Sequence, residues 1–232
     1  LSKVKSILII GAAGLLGREV SSGILDRGHK IIAADLAPYG LKDYLDAENA
    51  SNDIQERMIN FSKVDVTDEK QVELLFSKIE HIDGIVNCSY PRNKNYGTKF
   101  LKLSLEDFND NVGLQLGSAF LIMKHAVNYF MRRKTPLSLV NVSSIYGVVA
   151  PRFEIYEGTS MTTPIEYAAV KSALIHLNKY VSNFVRDSRF RVNSVSPGGL
   201  FDEQPREFVE RYGKLTNGQG LLNSSEYYRF NC

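Results

Sequence analysis

Apolar residues form two patterns that alternate along this chain. Short continuous apolar runs, typical of buried strands, lie at residues 4–10, 30–34, 61–66, 84–87, 137–142 and 191–195. Between them, apolar residues recur every three or four positions, which predicts helices with one buried face. These positions are Leu16, Val20 and Ile24; Val72, Leu75, Phe76 and Ile79; Val112, Leu116, Phe120, Met123 and Val127; Leu174, Leu177, Val181 and Phe184. Residues 49–58 form a less regular helical segment, and residues 205–212 a further helix.

Strands that are apolar nearly throughout are expected when helices cover both faces of a parallel sheet. The alternation therefore predicts an α/β fold, a Rossmann-type doubly wound parallel sheet in a single domain. We assign residues 1–222 to this domain and residues 223–232 to a tail of different pattern. Ligands of such sheets bind outside the carboxyl ends of the strands, so functional residues are expected just after strands.

A glycine-rich turn follows the first strand and opens the first helix. Its residues are Gly11, Ala12, Ala13, Gly14, Leu15, Leu16 and Gly17. Glycines permit a tight turn and a close approach of the backbone to a pyrophosphate, which a helix N-terminus attracts. Asp35 ends the second strand, where a carboxylate accepts hydrogen bonds from ribose hydroxyls and repels a 2′-phosphate. The pattern predicts a site for NAD, and Arg18 and Lys42 keep NADP as an alternative.

Further candidates for cofactor contact follow the third, fourth and sixth strands. Asp65 and Val66 end the third strand near the expected place of the adenine ring, with helix capping as the alternative role for Asp65. Thr67 and Asp68 are also placed to cap the following helix. The other candidates are Asn87, Cys88, Ser89, Pro197, Gly198 and Leu200.

Composition and charge narrow the class of protein. The 232 residues are 44% hydrophobic and 23% charged, as in an ordinary globular protein. The 28 basic and 26 acidic residues are mixed along the chain, so the net charge of +2 gives no long-range field for nucleic acid or a membrane surface. No apolar run approaches the length that spans a bilayer. Cys88 and Cys232 lack the spacing of a disulfide framework or a zinc site, so we expect a cytoplasmic setting and no metal.

Tyr167 and Lys171 carry the candidate chemistry. Their four-residue spacing places the phenol and the ammonium on one helical face. A tyrosine has a pKa of about 10, and a nearby ammonium together with the positive charge of an oxidised nicotinamide favours the phenolate. The expected result is a tyrosine with useful acid/base strength.

This order of motifs resembles the short-chain dehydrogenase/reductase family over almost the whole chain. The resemblance implies that Tyr167 is the general acid/base and that Lys171 tunes it and binds the nicotinamide ribose. It also implies that Ser144 orients the substrate oxygen, whereas Ser143 has a structural role. The implied fold is the Rossmann sheet already predicted, and the implied activity is NAD(P)-dependent oxidoreduction at a CH–OH group.

The sequence departs from the family pattern at several places. Family members commonly carry an asparagine on the long central helix to hold a relay water, and here that position is Gln115, with Asn111 one turn earlier as the alternative. Asp202 stands where the family often has threonine. After Leu222 the family's final strand is not recognisable, so we expect an exposed apolar sheet edge, with either poor stability or a partner subunit that covers the edge. By resemblance, the helices holding Gln115 and Tyr167 are candidate faces of a homodimer or homotetramer.

The segment between Ser144 and Tyr167 is longer than in most family members and interleaves polar with aromatic residues. We expect a substrate-side loop that suits a polar, sugar-derived ligand, with a solvated surface loop as the alternative. Candidate substrate residues are Tyr90, Arg92, Arg152, Glu154 and Tyr156. Arg92 and Lys94 are suited to a phosphate or carboxylate, with ordinary surface charge as the alternative.

Residues 146–166 and 198–205 resemble the flagellin modification protein A group of bacterial dehydrogenases. The resemblance implies a role in nonulosonic-acid sugar pathways. The leading hypothesis is hydride transfer between NAD and a secondary alcohol or ketone on a small polar substrate. The alternatives are an epimerase or dehydratase that uses NAD transiently, and a non-catalytic NAD-binding protein.

Overall fold

The structure, a computed structural model, describes residues 3–47, 58–218 and 220–223. Its strands are β1 (Ser6–Ile10), β2 (Lys30–Asp35), β3 (Met58–Lys63), β4 (Gly84–Asn87), β5 (Leu137–Val142) and β6 (Phe190–Val195). Its α-helices are α1 (Leu15–Asp26), α2 (Tyr39–Ala47), α3 (Glu69–Lys78), α4 (Leu105–Val112), α5 (Ser118–Arg133), α6 (Ile165–Val185) and α7 (Arg206–Lys214). A π-helical turn (Gly113–Gly117) joins α4 to α5, and short 3₁₀ turns lie at Phe100–Lys102, Ile145–Gly147 and Phe153–Tyr156.

The six strands form one parallel sheet in the order β3-β2-β1-β4-β5-β6. This order confirms the predicted doubly wound Rossmann-type fold. The chain runs outward from β1 to β3, then crosses back to β4 and runs outward in the other direction. The reversal lies between β1 and β4, so a crevice opens at their carboxyl ends, where ligands of such sheets bind.

Two apolar cores, one on each face of the sheet, explain why the strands are apolar on both sides. Along β1, Leu8 and Ile10 pack into the core beneath α3, α5 and α6, whereas Ile9 packs into the core with α1 and α2. Tyr129 is fully buried in the first core, and its hydroxyl accepts a hydrogen bond from the Ile82 amide at 2.9 Å. Side chains that point alternately to the two faces therefore each find an apolar layer.

Two element boundaries differ from the sequence prediction. β3 spans Met58–Lys63 rather than residues 61–66, because the chain leaves the sheet after Lys63. Val64 and Val66 are buried in the core although they lie beyond the strand. Buried apolar residues of this kind have the same sequence pattern as strand residues, which explains the difference. The structure also contains α2, which was not predicted. The predicted helical segment at 49–57 lies outside the described residues, and Met58 begins β3.

The predicted buried face of the central helix is confirmed at Met123 and Val127 but is wrong at Phe120. Phe120 is 54% exposed, and the buried residues of α5 include Ala119, Ile122 and Met123. The π turn explains the error, because it inserts an extra residue per turn and so breaks the four-residue spacing from Val112 to Phe120. Phe184, at the end of α6, is likewise 66% exposed rather than buried. Among the described residues, none of the helices combines the length and hydropathy needed to cross a membrane.

Candidate active site

The β1–α1 turn is packed tightly against the loop that follows β4. Gly11 has a φ of +76°, and a Cβ there would lie 2.8 Å from the Ser89 nitrogen. A Cβ on Gly17 would lie 1.9 Å from the Gly11 carbonyl oxygen. Both positions therefore require glycine. At Gly14 an added Cβ would meet nothing closer than 3.4 Å, so packing alone does not demand glycine there.

The same turn fits the pyrophosphate of a dinucleotide. α1 begins after Gly14 without a side-chain cap, so the amides of its first turn, at Leu15, Leu16 and Gly17, are not used by a capping side chain. Unpaired amides and the helix dipole favour an anion at this place. Ala13 donates its amide to Asp35 Oδ2 at 3.0 Å, so its backbone is held against the end of β2.

Asp35 stands at the predicted ribose position and also organises the surrounding backbone. Its second oxygen, Oδ1, accepts a hydrogen bond from the Ala37 amide at 3.0 Å. Each carboxylate oxygen has a second lone pair for a ligand hydroxyl. Arg18 and Lys42 are the two residues that keep NADP as an alternative cofactor. The Arg18 guanidinium carbon lies 5.0 Å from the centre of the Tyr44 ring, and Lys42 is exposed.

Of the two roles considered for Asp65, the structure tests helix capping, and contact with the adenine ring stays a prediction. Its Oδ1 accepts hydrogen bonds from the Thr67 amide and hydroxyl, at 2.9 and 2.7 Å. The cap of α3 is Asp68, whose Oδ1 accepts from the amides of Lys70 and Gln71. The capping alternative for Asp65 is therefore wrong, because its carboxylate stabilises the turn at Thr67, which precedes the cap residue Asp68. Val66 is buried beside this turn.

A ladder of buried asparagines fixes the carboxyl ends of β4 and β5. Asn87 donates Nδ2 to Asn141 Oδ1 at 3.0 Å, and Asn141 donates Nδ2 to Asn178 Oδ1 at 2.9 Å. Asn87 Oδ1 accepts from the amide and hydroxyl of Ser89, at 3.1 and 2.6 Å. Burial raises the pKa of the Cys88 thiol to about 12, which favours the protonated thiol at neutral pH. The β4 end is thus a rigid wall of the crevice.

Ser144, Tyr167 and Lys171 meet beyond β5. The Ser144 side chain interacts with Tyr167 and acts to lower the pKa of the phenol. Lys171 donates Nζ to the Val142 carbonyl at 2.7 Å, and the same Nζ lies 5.5 Å from the centre of the Tyr167 ring. Ser143 Oγ donates to the Lys171 carbonyl at 2.8 Å, which is a structural contact between β5 and α6.

The ionisation of the pair is governed first by burial. Burial raises the pKa of Tyr167, and only the interaction with the Ser144 side chain opposes this rise. The expected lowering of the Tyr167 pKa by Lys171 is therefore not found in the protein alone. Burial also lowers the pKa of Lys171 to about 8, so this side chain loses its proton and its positive charge more easily than an exposed lysine does.

The two candidates for the relay position have different surroundings. Gln115 lies in the π turn and lines a small cavity together with Asn87, Tyr90 and Lys171. Its buried Nε2 and Oε1 have no hydrogen-bond partner among the described residues. Asn111 is also buried, but it is hydrogen-bonded to Asn93 and Glu166 rather than placed in that cavity. Geometry therefore favours Gln115 for contact with a bound water.

Tyrosines line the side of the crevice next to Tyr167. The ring of Tyr90 lies edge-on to that of Tyr167, with centroids 5.7 Å apart, and its hydroxyl is hydrogen-bonded to that of Tyr96. In the long loop, the Tyr146 and Tyr156 hydroxyls are 3.2 Å apart, and Thr163 donates its hydroxyl to Tyr156. The result is an aromatic surface with several hydroxyl groups.

The charged substrate candidates lie further out. The Arg92 guanidinium carbon is 5.8 Å from the centre of the Tyr90 ring, at the rim of the aromatic surface. Arg152, Glu154 and Lys94 are exposed, so their contact with a substrate stays a prediction. Of the five substrate candidates, the structure thus brings Tyr90, Arg92 and Tyr156 into the tyrosine cluster.

Helix α7 covers the outer side of the long loop. Phe208 packs on Tyr156 with ring centroids 5.2 Å apart, and Arg211 donates to the Glu157 carbonyl. The Tyr212 hydroxyl accepts a hydrogen bond from the Gly199 amide at 2.7 Å.

The predicted cofactor residues after β6 lie next to this helix. The Pro197 carbonyl accepts a hydrogen bond from the Ile145 amide at 2.8 Å, and Gly198 lies beside the Tyr212 hydroxyl. Leu200 forms a parallel β-bridge with Leu222. Asp202 is exposed.

Sequence reasoning did not identify several residues of the site. They are Asn93, Tyr96, Glu166, Phe208 and Tyr212. Tyr146 and Thr163 were predicted only as part of the substrate-side loop as a whole. Twelve tyrosines in a chain with no tryptophan was an available signal, but composition does not show which of them converge. Asn93 and Glu166, for example, both form hydrogen bonds with Asn111, which lies 18 and 55 residues away from them in the sequence.

Comparison with known proteins gives consistent matches. A family model described as enoyl-(acyl carrier protein) reductase matches residues 11–214. A post-translational flagellin modification protein A of Campylobacter coli is 30% identical over 227 residues, which cover 96% of this chain and 87% of that protein. A 7alpha-hydroxysteroid dehydrogenase of Bacteroides fragilis is 29% identical over 196 residues, 84% of this chain and 71% of that protein. A solved short-chain dehydrogenase of Leptospira borgpetersenii with bound NAD+ has a TM-score of 0.81 at 26% identity, covering 98% of this chain and 84% of that one.

Proposed function

This chain belongs to the short-chain dehydrogenase/reductase family of oxidoreductases, and we propose that it transfers a hydride between NAD and a secondary alcohol or ketone of a small, sugar-related substrate. The observation that carries this proposal is the position of Tyr167, which interacts with Ser144 and lies next to Lys171 at the edge of a hydroxyl-bearing tyrosine surface. Proton transfer and recognition of a polar ligand are thereby combined in one crevice.

The chain's own residues divide the chemistry between them. The bound nicotinamide supplies or accepts the hydride. Tyr167 gives a proton to the substrate oxygen or takes one from it, and Ser144 holds that oxygen through a hydrogen bond. Lys171 donates a hydrogen bond to the Val142 carbonyl, which fixes its ammonium beside the Tyr167 ring, and from there it binds the nicotinamide ribose. Gln115 holds a water in the cavity beside Lys171, through which the proton reaches solvent.

The carboxylate of Asp35 supports a preference for NAD over NADP, because a 2′-phosphate would meet a negative charge there. We expect Asp35→Asn, which keeps an oxygen acceptor, to reduce this preference roughly tenfold, since a screened repulsion of about 1 kcal/mol or more is removed. Titration of both cofactors into each variant measures the ratio of the two Kd values. Asp43→Asn, an exposed change on α2, is the control and should leave the ratio unchanged.

The substrate class follows from the surface next to Tyr167. Tyr90, Tyr96, Tyr146, Tyr156 and Thr163 offer both aromatic faces and hydroxyl groups, which suit the alternating apolar and polar faces of a sugar ring. Arg92 at the rim suits a carboxylate or phosphate on the same molecule. Similarity to the Campylobacter protein supports a role in flagellin modification, and we place that role in bacterial glycan synthesis in the cytoplasm.

A screen of sugar phosphates and nucleotide sugars, followed by the absorbance of NADH, tests the proposal. Net change in NADH supports hydride transfer to substrate. Product without net change would instead indicate an epimerase or dehydratase, and binding without turnover would indicate a non-catalytic protein.

We expect Tyr167→Phe to lower kcat roughly 10²- to 10⁴-fold with NAD affinity unchanged, because only proton transfer is lost. Steady-state turnover and NAD titration measure the two effects. Tyr180→Phe, an exposed tyrosine of the same helix, is the matched control. Activity retained by the Tyr167 variant would contradict the mechanism.

A further inference from the structure

The loop between β4 and α4, residues 88–104, sets the position of Tyr90. The Tyr90 ring contacts Tyr167 edge-on, and the Lys171 ammonium lies 5.4 Å from its centre. Tyr96, six residues further along the loop, shares a hydrogen bond with the Tyr90 hydroxyl. One loop therefore packs an aromatic ring against both members of the Tyr–Lys pair, and a displacement of the loop displaces that ring.

Asn93 holds the middle of this loop to helix α4. Its amide donates to Asn111 Oδ1 at 3.0 Å, and Asn111 donates Nδ2 back to Asn93 Oδ1 at 3.1 Å. Asn93 Nδ2 also donates to Asp107 and Asp110 on the exposed side of α4. Of these partners only Asn111 is fully buried. A reciprocal pair with one buried member is a stronger anchor than an exposed contact, because water does not compete for the buried groups.

Glu166 connects that anchor to the helix of Tyr167. Asn111 donates its remaining Nδ2 hydrogen to Glu166 Oε1 at 3.3 Å, and Glu166 directly precedes Tyr167 in α6. Glu166 is fully buried, and its Oε2 has no hydrogen-bond partner among the described residues. A buried carboxyl group with an unpaired oxygen costs free energy, so an apolar side chain would serve stability better.

We infer that Glu166 and Asn111 are positioning residues, which hold the 88–104 loop through Asn93 so that Tyr90 packs on Tyr167 and Lys171. Helix α6 then carries both Tyr167, which transfers the proton, and Glu166, which accepts the hydrogen bond from Asn111 and so helps to hold the 88–104 loop next to Tyr167. The catalytic part of the inference rests on the proposed function, whereas the anchoring of the loop does not.

Hydrogen exchange of peptides from residues 88–104, measured by mass spectrometry without cofactor, tests the anchor directly. Asn111→Leu and Glu166→Leu should speed exchange in the loop about fivefold to tenfold, as expected for the loss of a buried hydrogen bond. Glu166→Gln keeps an acceptor oxygen for Asn111 and should restore near wild-type exchange. Tyr129→Phe, which removes a buried hydrogen bond in the distant core, is the control for general loss of stability.

Kinetics test the consequence for the reaction. With a substrate from the screen, kcat/KM should fall roughly 10- to 100-fold in the two leucine variants, because a small displacement of a positioning contact is enough for this loss. NAD affinity should stay within about twofold of wild type, since Ser89, the loop residue that packs on the β1–α1 turn, is held by Asn87 independently of this anchor. Tyr129→Phe should lower the melting temperature without this loss of kcat/KM.

The outcomes separate the two proposals. Unchanged exchange in the loop, exchange raised equally by Tyr129→Phe, or Glu166→Gln behaving like Glu166→Leu would each overturn the anchor. Faster loop exchange with unchanged kcat/KM would overturn the positioning role. If no compound of the screen is turned over, the proposed function fails, and the exchange data still decide whether Glu166 and Asn111 hold the loop.

Discussion

At the scale of single residues, Lys171 shows a conflict between stability and function. Its ammonium is buried, and burial lowers its pKa from 10.5 to about 8. Below pH 8 both the folded and the unfolded chain bind this proton, so the folded state carries the full cost of a buried charge. Between about pH 8 and 10.5 the unfolded chain binds the proton more strongly, so this group makes stability rise with pH.

We expect Lys171→Met to remove this cost. A pKa shift from 10.5 to about 8 corresponds to about 3 kcal/mol, from which the contribution of the lost hydrogen bond to the Val142 carbonyl is subtracted. The variant should melt at or above the wild-type temperature at pH 7, and the advantage should shrink towards pH 10. Thermal unfolding without cofactor at both pH values measures it. Lys179→Met, an exposed change on the same helix, should show no such trend, and a pH-independent difference for Lys171→Met would contradict the assignment.

At the scale of elements, the β1–α1 turn depends on two glycines for different reasons. Gly11 needs glycine for its positive φ and its contact with the β4 loop, whereas Gly17 needs it because α1 packs directly on the Gly11 carbonyl. The unit of strand, turn and helix is therefore held by backbone contacts, with no side chain between them. Such a contact cannot relax without moving the helix that would bind the pyrophosphate.

We expect Gly17→Ala to destabilise the protein by about 1–3 kcal/mol or more, since its Cβ would overlap backbone. The melting temperature should fall by several degrees, and NAD affinity should fall with it. Gly14→Ala is the control, because its Cβ would meet only an ordinary contact at 3.4 Å. Melting curves without cofactor compare the two variants, and equal losses would show that the close packing at Gly17 is not decisive.

At the scale of the whole molecule, helices α5 and α6 leave large apolar side chains exposed. Phe120 on α5 and Tyr180 and Phe184 on α6 are each more than half exposed. Large exposed apolar side chains on neighbouring helices are a common mark of a protein interface. We propose that these helices form the contact of a homodimer or homotetramer, as the family resemblance implies.

Light scattering after size exclusion tests this proposal. Wild type should elute as a dimer or tetramer, and Phe120→Glu combined with Phe184→Glu should give monomer, since buried unpaired carboxylates oppose association. Leu74→Glu is the matched control, because Leu74 is also half exposed but lies on α3. A wild-type monomer, or equal dissociation by the Leu74 change, would argue against an α5–α6 interface.

The sequence by itself determined the fold class, the glycine turn and the order of the functional motifs. Each depends on local physics: the spacing of apolar residues reports burial on one or both faces, and glycine reports backbone geometry. Because parallel strands end at one edge of the sheet, motifs placed after strands were bound to converge. Gly11, Asp35, Ser144, Tyr167 and Lys171 therefore appear in the crevice where the sequence put them.

Only the tertiary structure decided which face of the central helix is buried, which amide lines the Lys171 cavity, and which tyrosines surround Tyr167. The π turn before α5 rotates the following residues to a different side of the helix, and a prediction that assumes regular α-helical spacing does not include this rotation. Asn111 and Gln115 are separated by one turn, and long-range partners, Asn93 and Glu166, distinguish them. The pKa of Tyr167 likewise depends on its burial in the fold, and spacing to Lys171 does not report burial.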